Sequence, residues 1–146
     1  LNRVPYSGYL NYFEADPIES YNKPMLAIEK GILAKELDLN NASYMALNQR
    51  VVNNIYAPAL SQDYYVVQIG DYDVDVITPW TTVQNTYFNQ TDRFSMIRFG
   101  SQCDLIIPIY KGHSFDFEFV NEVGDHVEAG VDALVKIVGI NEPEFD

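Results

Sequence analysis

A chain of 146 residues with ordinary apolar content is long enough to bury a core, which argues against disorder and predicts one domain over residues 1–146. The formal net charge of -12 opposes nonspecific binding to nucleic acid or anionic lipid, because both attract clusters of Lys and Arg. No apolar run approaches the roughly 20 residues needed to cross a bilayer. The single cysteine, Cys103, excludes an internal disulfide and favours a reducing, cytoplasmic setting. The first residue, Leu1, suggests a fragment or a processed chain.

Strands dominate the predicted elements. Eleven tyrosines and eight phenylalanines, mostly beside Val, Ile and Thr, give the composition of half-buried strands. Lys23–Leu39 is the exception, because its apolar residues have helical spacing and its Ala, Glu, Lys and Leu content favours a short helix. We expect a mostly β barrel or sandwich. In chain order, the predicted strands are Gly8–Phe13, Val51–Tyr56, Tyr64–Ile69, Val74–Ile77, Arg93–Phe99, Leu105–Tyr110, Phe115–Val120 and Ala133–Val138.

Three alternating aspartates, Asp71, Asp73 and Asp75, would share one face of an extended strand. Three oxygen ligands on one face could hold a hard cation. An EF-hand loop is excluded, because Val76 stands where that loop needs glycine and Thr82 where it needs glutamate. A solvated strand face is the better interpretation, with calcium as the alternative.

The remaining reactive side chains give no recognisable constellation. His113 and His126 lack zinc-type spacing, and His126 in VGDHVEAG is typical of a solvated turn. Ser101 lacks the Gly-x-Ser-x-Gly elbow of a hydrolase. Cys103 is interpreted as a small buried hydrophobe. At Gly100–Ser101, glycine permits a backbone geometry that lets the next hydroxyl turn back onto its own peptide carbonyl, although from these residues alone a bulge or tight bend is the better interpretation.

One stretch resembles a known family. RFSMIRFGSQCDLIIP (93–108) resembles the self-processing site of short-form phosphatidylserine decarboxylases, in which RFGMIRFGS is followed by one or two residues and Asp. In the family's order, LNRVPYSG (1–8) resembles HxNRxPxSG, NQR (48–50) resembles NER, and VVQI (66–69) matches a strand motif. VGDHVEAG resembles a Gly-Asp-x-Val-x-x-Gly turn shared with lipoyl-like barrels. The resemblance spans essentially the whole chain, with an apparent insertion around Lys23–Ser43, and implies a barrel-sandwich (lipoyl-like) β architecture.

The resemblance also implies a reaction. In that family the serine hydroxyl attacks the preceding glycine carbonyl, and β-elimination and hydrolysis leave a pyruvoyl group. Here Gly100 would end one chain and Ser101 would begin the other as the covalent pyruvoyl cofactor, with no metal expected. That carbonyl condenses with the amine of phosphatidylserine and accepts electrons as CO2 leaves, which gives phosphatidylethanolamine. The uncut chain would be the zymogen of a lyase in phospholipid biosynthesis.

The implied partner is a phospholipid at a membrane surface, with the protein peripheral to it; a homo-oligomer is neither indicated nor excluded. Met96, Phe99 and Ile106 are candidates for an acyl-chain groove near Ser101, although such residues are more often simply core. The motif's histidine would fall just before Leu1 and its partner aspartate further upstream. The acidic GDYDVDV replaces an arginine pair usual after VVQI. The alternative is therefore a catalytically inactive relative reused as a structural or binding module.

Overall fold

The computed structural model describes residues 1–15, 48–71, 77–98, 101–112 and 114–139. In these ranges the chain is mostly β, which confirms the predicted fold class, and the sheets there do not close into a barrel. The helix predicted at Lys23–Leu39 lies outside the described residues. In this part of the chain the strands are β1 (Asn2–Arg3), β2 (Gly8–Ala15), β3 (Arg50–Ala57), β4 (Gln62–Gly70), β5 (Ile77–Pro79), β6 (Thr86–Phe88), β7 (Arg93–Ile97), β8 (Ser101–Ile106), β9 (Phe115–Phe119) and β10 (Val135–Gly139).

The strands form three antiparallel sheets. The largest has the order β6-β2-β3-β4-β8, the second β1-β7-β5, and β9 pairs with β10 in a two-stranded sheet. β3 and β4 are joined by a 3-10 turn, Pro58–Leu60, which suits proline because the first position of a helix needs no N–H. Ser61 closes that turn in the left-handed conformation, with φ 52°, and its N–H donates to the Pro58 carbonyl at 3.2 Å.

The core lies on one face of the large sheet. Along β4 the residues at even positions are buried, as period-two alternation requires for a strand with one covered face. Full burial of one Val, Leu, Ile, Phe or Met side chain in such a core contributes roughly 1.5–3 kcal/mol to the free energy of unfolding. Partly buried Phe115, Phe117 and Ile137 of the β9–β10 sheet also pack against this core. Its buried members are Val4, Leu10, Ile55, Ala57, Leu60, Tyr64, Val66 and Phe94.

Glycine is required at the start of β2. A Cβ on Gly8 would overlap the Tyr56 carbonyl oxygen and would lie 2.9 Å from Cγ2 of Ile55. Both neighbours belong to β3, the strand that pairs with β2. The glycine that ends LNRVPYSG therefore allows these two strands to approach closely.

The predicted strand at Leu105–Tyr110 is wrong in its bounds. The strand here is Ser101–Ile106, and residues 107–110 have no regular structure. Pro108 has no N–H to donate to a ladder, whereas the more polar residues at 101–104 pair with the end of β4. β5 begins at Ile77, where the strand predicted at Val74–Ile77 ends, and residues 72–76 lie outside the described part.

Candidate active site

Ser101 begins β8 at the edge of the large sheet. It lies directly opposite Gly70, the last residue of β4, and its side chain is partly buried. The preceding Phe99 and Gly100 lie outside the described residues. A cut immediately before Ser101 would leave the pairs from Gln102 to Ile106 in place, because these follow it along the ladder.

The segment Asn48–Arg50 holds the end of β4. The Gly70 carbonyl accepts a hydrogen bond of 2.8 Å from Nδ2 of Asn48, and the Gly70 N–H donates to the Gln49 carbonyl at 2.9 Å. The side chains of Asn48 and Gln49 are both buried. The Arg50 guanidinium donates to the Asn48 carbonyl at 3.1 Å. NQR thus fixes the backbone that faces Ser101.

A buried polar network is centred on Gln68, which lies two residues before Gly70 on the same face of β4. Gln68 is 0% exposed, and its Nε2 donates to Oδ1 of Asn2 and to Oγ of Ser95, each at 2.9 Å. Its Oε1 accepts from Nδ2 of Asn53 at 3.0 Å. Ser95 in turn donates to the Thr78 carbonyl at 3.2 Å. Because Gln68 belongs to VVQI and Asn2 to LNRVPYSG, hydrogen bonds link segments far apart in the sequence.

Tyr64 anchors the amino-terminal segment further along β4. Its hydroxyl donates to the Tyr6 carbonyl at 2.5 Å and accepts from the Tyr6 N–H at 2.9 Å. Burial raises the pKa of the Tyr64 phenol well above its ordinary value, and the bond to the Tyr6 backbone opposes that rise only in part. Both backbone groups of Tyr6 are therefore satisfied by one neutral side chain.

A cavity of about 540 Å³ begins two residues beyond Ser101. Cys103 and Leu105 line it, and they share a face of β8 with Ser101 because side chains alternate along a strand. Two residues of strand span about 7 Å, so the cavity starts at that distance along β8 from Ser101. Its floor includes Leu60, Gln62, Tyr64, Val66 and Ile107, and its rim includes Val127, Glu128, Val131 and Leu134.

Two of the three residues predicted for an acyl-chain groove, Met96 and Ile106, belong to described strands. Met96 is a partly buried residue of β7 opposite Thr78, and Ile106 is 49% exposed on the face of β8 turned away from Ser101. Neither of them lines the described cavity, and Phe99 lies outside the described residues. The structure therefore brings Ser101 onto the same sheet face as Leu105 and Val66 rather than Ile106.

Cys103 is exposed, whereas the sequence predicted a buried residue. β8 is an edge strand in the described part of the sheet, so less covers this residue than covers a central strand. Its thiol still lies against the cavity wall. Burial there raises the pKa of the thiol to about 11, and the Asp104 carboxylate acts in the same direction. Cys103 therefore carries no activated thiolate at neutral pH.

The other side chains considered as metal ligands do not come together in the part of the chain that the structure describes. No group of three or more His, Cys, Asp or Glu there could hold a metal ion. His126 is exposed between two turns, as expected for a solvated loop. Asp71 follows Gly70 and is partly buried, while Asp73, Asp75 and His113 lie outside the described part.

The sequence analysis assigned no structural role to the polar residues that organise this region, although two of them fall in its motifs. Gln62, Gln68, Asn48 and Asn53 are all at most 6% exposed. The signal was present in β4, because Gln62 and Gln68 alternate in phase with Tyr64 and Val66 in QDYYVVQIG. A glutamine in phase with a buried face indicates a buried hydrogen-bond network or a ligand contact.

A comparison with models of protein families shows to which family this chain is related. The model of the family described as phosphatidylserine decarboxylase matches residues 2–134. This chain belongs to the phosphatidylserine decarboxylase family. Comparison with curated proteins and with solved structures finds no significant match. Membership supports decarboxylation of a phospholipid as the general function.

In this decarboxylase-family chain, four motifs of the resemblance meet at one end of the large sheet. Asn48 of NQR donates a hydrogen bond to the carbonyl of Gly70, which lies opposite Ser101. Gln68 of VVQI donates hydrogen bonds to Asn2 of LNRVPYSG and to Ser95 of RFSM. Among the described residues, no helix has the length and apolar character that crossing a bilayer demands.

Proposed function

We propose that this chain cuts itself between Gly100 and Ser101 and decarboxylates phosphatidylserine to phosphatidylethanolamine. The observation that carries the proposal is the position of Ser101: it starts an edge strand, is partly accessible, and lies opposite a backbone carbonyl that Asn48 holds. Family membership supports the same reaction.

The cut is a transfer of the Gly100 acyl group. Oγ of Ser101 attacks the Gly100 carbonyl carbon, the peptide C–N bond breaks, and an ester forms while the nitrogen takes up the proton. Loss of the Ser101 α-proton then expels Gly100 as a carboxylate. Hydrolysis of the remaining enamine releases ammonia and leaves a pyruvoyl group. A proton acceptor must be supplied to the hydroxyl for the first step.

The residues around Ser101 suit a pyruvoyl group made in place. The group would begin β8, and pairing of Gln102 to Ile106 with β4 would hold it after the cut. β7 would also remain fixed, because it pairs with β1 and β5. When formed, the group supplies an electron sink for decarboxylation. The role of the protein is to hold the new amino terminus beside Gly70.

The cavity beside Ser101 supports a lipid as the substrate. Its apolar wall starts two residues beyond Ser101, so one acyl chain could lie along Leu105 and Val66 while the headgroup remains at Ser101. A lipid substrate implies that the protein works at a membrane surface. With a net charge of -12, attraction to anionic lipid by basic clusters contributes little, and apolar contacts must dominate.

The alternative is a noncatalytic relative, and one observation favours it. Asp71 stands one residue beyond Gly70, where the family usually has arginines, so negative charge lies at the end of the ladder that carries Ser101. A carboxylate there repels an anionic headgroup. In this alternative the sheets serve as a binding or structural module.

Conversion of labelled lipid separates the two functions. The full-length gene product is incubated with vesicles containing phosphatidylserine labelled in its serine carboxyl, and released CO2 and new phosphatidylethanolamine are measured. The proposal predicts both products in equal amounts from the wild type and neither from Ser101→Ala. Binding of the lipid without release of CO2 would support the noncatalytic module and contradict the enzyme.

A further inference from the structure

Arg3 is the one basic side chain among the described residues that line the cavity. It ends β1 and is partly buried. Its Nη1 donates to the Thr91 carbonyl at 2.8 Å, which uses only part of a group with five N–H donors. Within the described ranges Arg3 forms no ion pair with a carboxylate. A partly buried cation with donors to spare therefore faces the cavity.

A loop of the cavity rim packs directly against the Arg3 side chain. Gly130 has a φ of 81°, and a Cβ there would lie 2.7 Å from Cδ and 3.0 Å from Nε of Arg3. The acidic residues on either side do not neutralise the guanidinium. Oδ2 of Asp132 accepts from the Glu128 N–H at 2.8 Å, so this carboxylate stabilises its own loop. The position of the guanidinium is thus set by a close backbone contact.

The segment that carries Arg3 runs beside β4 in the opposite direction. Two hydrogen-bonded pairs set this direction: Asn2 with Gln68, and Tyr6 with Tyr64. Arg3 follows Asn2, so along β4 it lies about three residues, or roughly 10 Å, from Gly70. Because Ser101 is opposite Gly70, Arg3 lies toward the Ser101 end of the cavity.

The order of groups in phosphatidylserine fits this placement. With the amine at Ser101 and an acyl chain along Leu105, the phosphate between them passes the end of the cavity where Arg3 lies. An ionised phosphodiester has a pair of unesterified oxygens, which a guanidinium can bind together. We propose that Arg3 binds the phosphodiester of the lipid substrate, a role that rests on the proposed function.

A contact of this kind also offsets negative charge near Ser101. Asp71 follows Gly70 at the end of the ladder, and its carboxylate repels an anionic headgroup. Coulomb energy falls with distance, so a guanidinium in direct contact with the phosphate acts strongly against that repulsion. The site therefore favours a lipid with an ionised phosphodiester over an uncharged lipid with the same chains.

Two lipids that differ in charge at phosphorus test this role. The full-length Ser101→Ala chain is titrated calorimetrically with dihexanoylphosphatidylserine and with its methyl phosphotriester, which lacks the negative charge. We expect the phosphodiester to bind about tenfold more tightly, because hydrogen bonds between charged groups exceed those to a neutral ester. In Arg3→Gln the preference should vanish, whereas Arg3→Lys should keep part of it.

Lys136→Gln is the matched control. Lys136 is exposed on β10 between two lining residues, Val135 and Ile137, but does not line the described cavity itself. This variant removes the same charge from the opposite face of the strand and should keep the preference. A purely structural loss in Arg3→Gln, through the bond to Thr91, would weaken both lipids alike and leave the ratio of their affinities unchanged.

Two glycine substitutions decide if Arg3→Gln does not fold. Gly130→Ala displaces the Arg3 side chain without removing its charge. Gly112→Ala places alanine at a similar φ, 75°, but its Cβ meets nothing within 4 Å. Backbone strain is therefore comparable in the two variants. The preference for the phosphodiester should fall in Gly130→Ala and persist in Gly112→Ala.

Equal affinity of the Ser101→Ala chain for the two lipids, or no saturable binding of either, would overturn the role of Arg3. A preference that survives unchanged in Arg3→Gln, or in Gly130→Ala, would also overturn it. Failure of the wild type to release CO2 is a separate result: it would contradict the decarboxylase but not the phosphate contact, because the titration needs no self-cleavage.

Discussion

Ser101 lies opposite Gly70 in the antiparallel pairing of β8 with β4. The backbone of Gly70 is in turn held on both sides, by the Asn48 side chain and the Gln49 carbonyl. The proposed nucleophile therefore faces a part of the sheet whose polar groups are already satisfied. This arrangement gives Ser101 a fixed frame, which an attack on a neighbouring carbonyl requires.

Gly8→Ala should destabilise the protein by roughly 1–3 kcal/mol, because the added methyl group meets the Tyr56 carbonyl and Ile55 on β3. Urea denaturation gives the free energy of unfolding. Gly139→Ala is the control: it also lies in a strand, and a Cβ there meets nothing within 4 Å. Equal stability of the two variants would show that β2 and β3 do not approach as closely as described.

Tyr64→Phe should lower the free energy of unfolding by about 1–3 kcal/mol, since it leaves both the N–H and the carbonyl of Tyr6 unpaired in a partly buried setting. Hydrogen exchange at the Tyr6 amide should become faster. Tyr65→Phe serves as the control, because Tyr65 points to the opposite face of β4. Unchanged exchange at Tyr6 in Tyr64→Phe would contradict the assigned bond.

Gln68→Met should lower the free energy of unfolding by about 1–3 kcal/mol, because it removes the donor to Oδ1 of Asn2 and buried hydrogen bonds to two further groups. Those groups, Asn53 and Ser95, each keep a second hydrogen bond, to the Val66 and Thr78 carbonyls. Gln102→Met, on the other face of β8, is the control and should change stability less. Chemical denaturation compares them, and similar losses would argue against a network centred on Gln68.

Stability should fall as the pH rises above about 8.5, the usual pKa of a cysteine thiol. In the unfolded chain Cys103 loses its proton there, whereas the folded thiol, with a pKa of about 11, keeps it. Because the folded state then binds more protons, raising the pH favours unfolding across this window, and below it the contribution is fully present. The raised pKa of Tyr64 acts in the same direction at higher pH.

Urea denaturation at several pH values between 8 and 11 measures this effect. Cys103→Ser should lose less stability over the range than the wild type does. Alkylation of Cys103 by iodoacetamide at pH 8 should also be slow despite its exposure, because little thiolate is present. Rapid alkylation at pH 8 would show that the thiol is not desolvated.

Much of the fold follows from local pattern. Strands such as β3 and β4 alternate buried and exposed residues, so their positions were predictable from period two, although their ends extend one or two residues further. β1 and β6 were not predicted, because two or three residues carry too little periodicity and their pairing with β7 and β2 is set by tertiary contacts.

The site was predictable only in part. The motif located Ser101, but the link from Asn48 to Gly70 joins residues 22 positions apart, and that from Asn2 to Gln68 joins residues 66 apart. No local pattern encodes such pairings. The expected acyl-chain residue Ile106 followed from hydrophobicity alone, whereas the register of β8 determines which face its residues occupy and places Leu105 on the face of Ser101.

Intact mass measurement of the full-length gene product tests the central claim most directly. After incubation, we predict two chains, of which the carboxyl-terminal one begins at position 101 and carries pyruvoyl in place of serine, while Ser101→Ala remains one chain. Mild treatment with hydroxylamine should cleave any ester that accumulates between Gly100 and Ser101. A wild-type chain that stays whole, with an unmodified Ser101 after prolonged incubation, would contradict self-processing and leave the noncatalytic module.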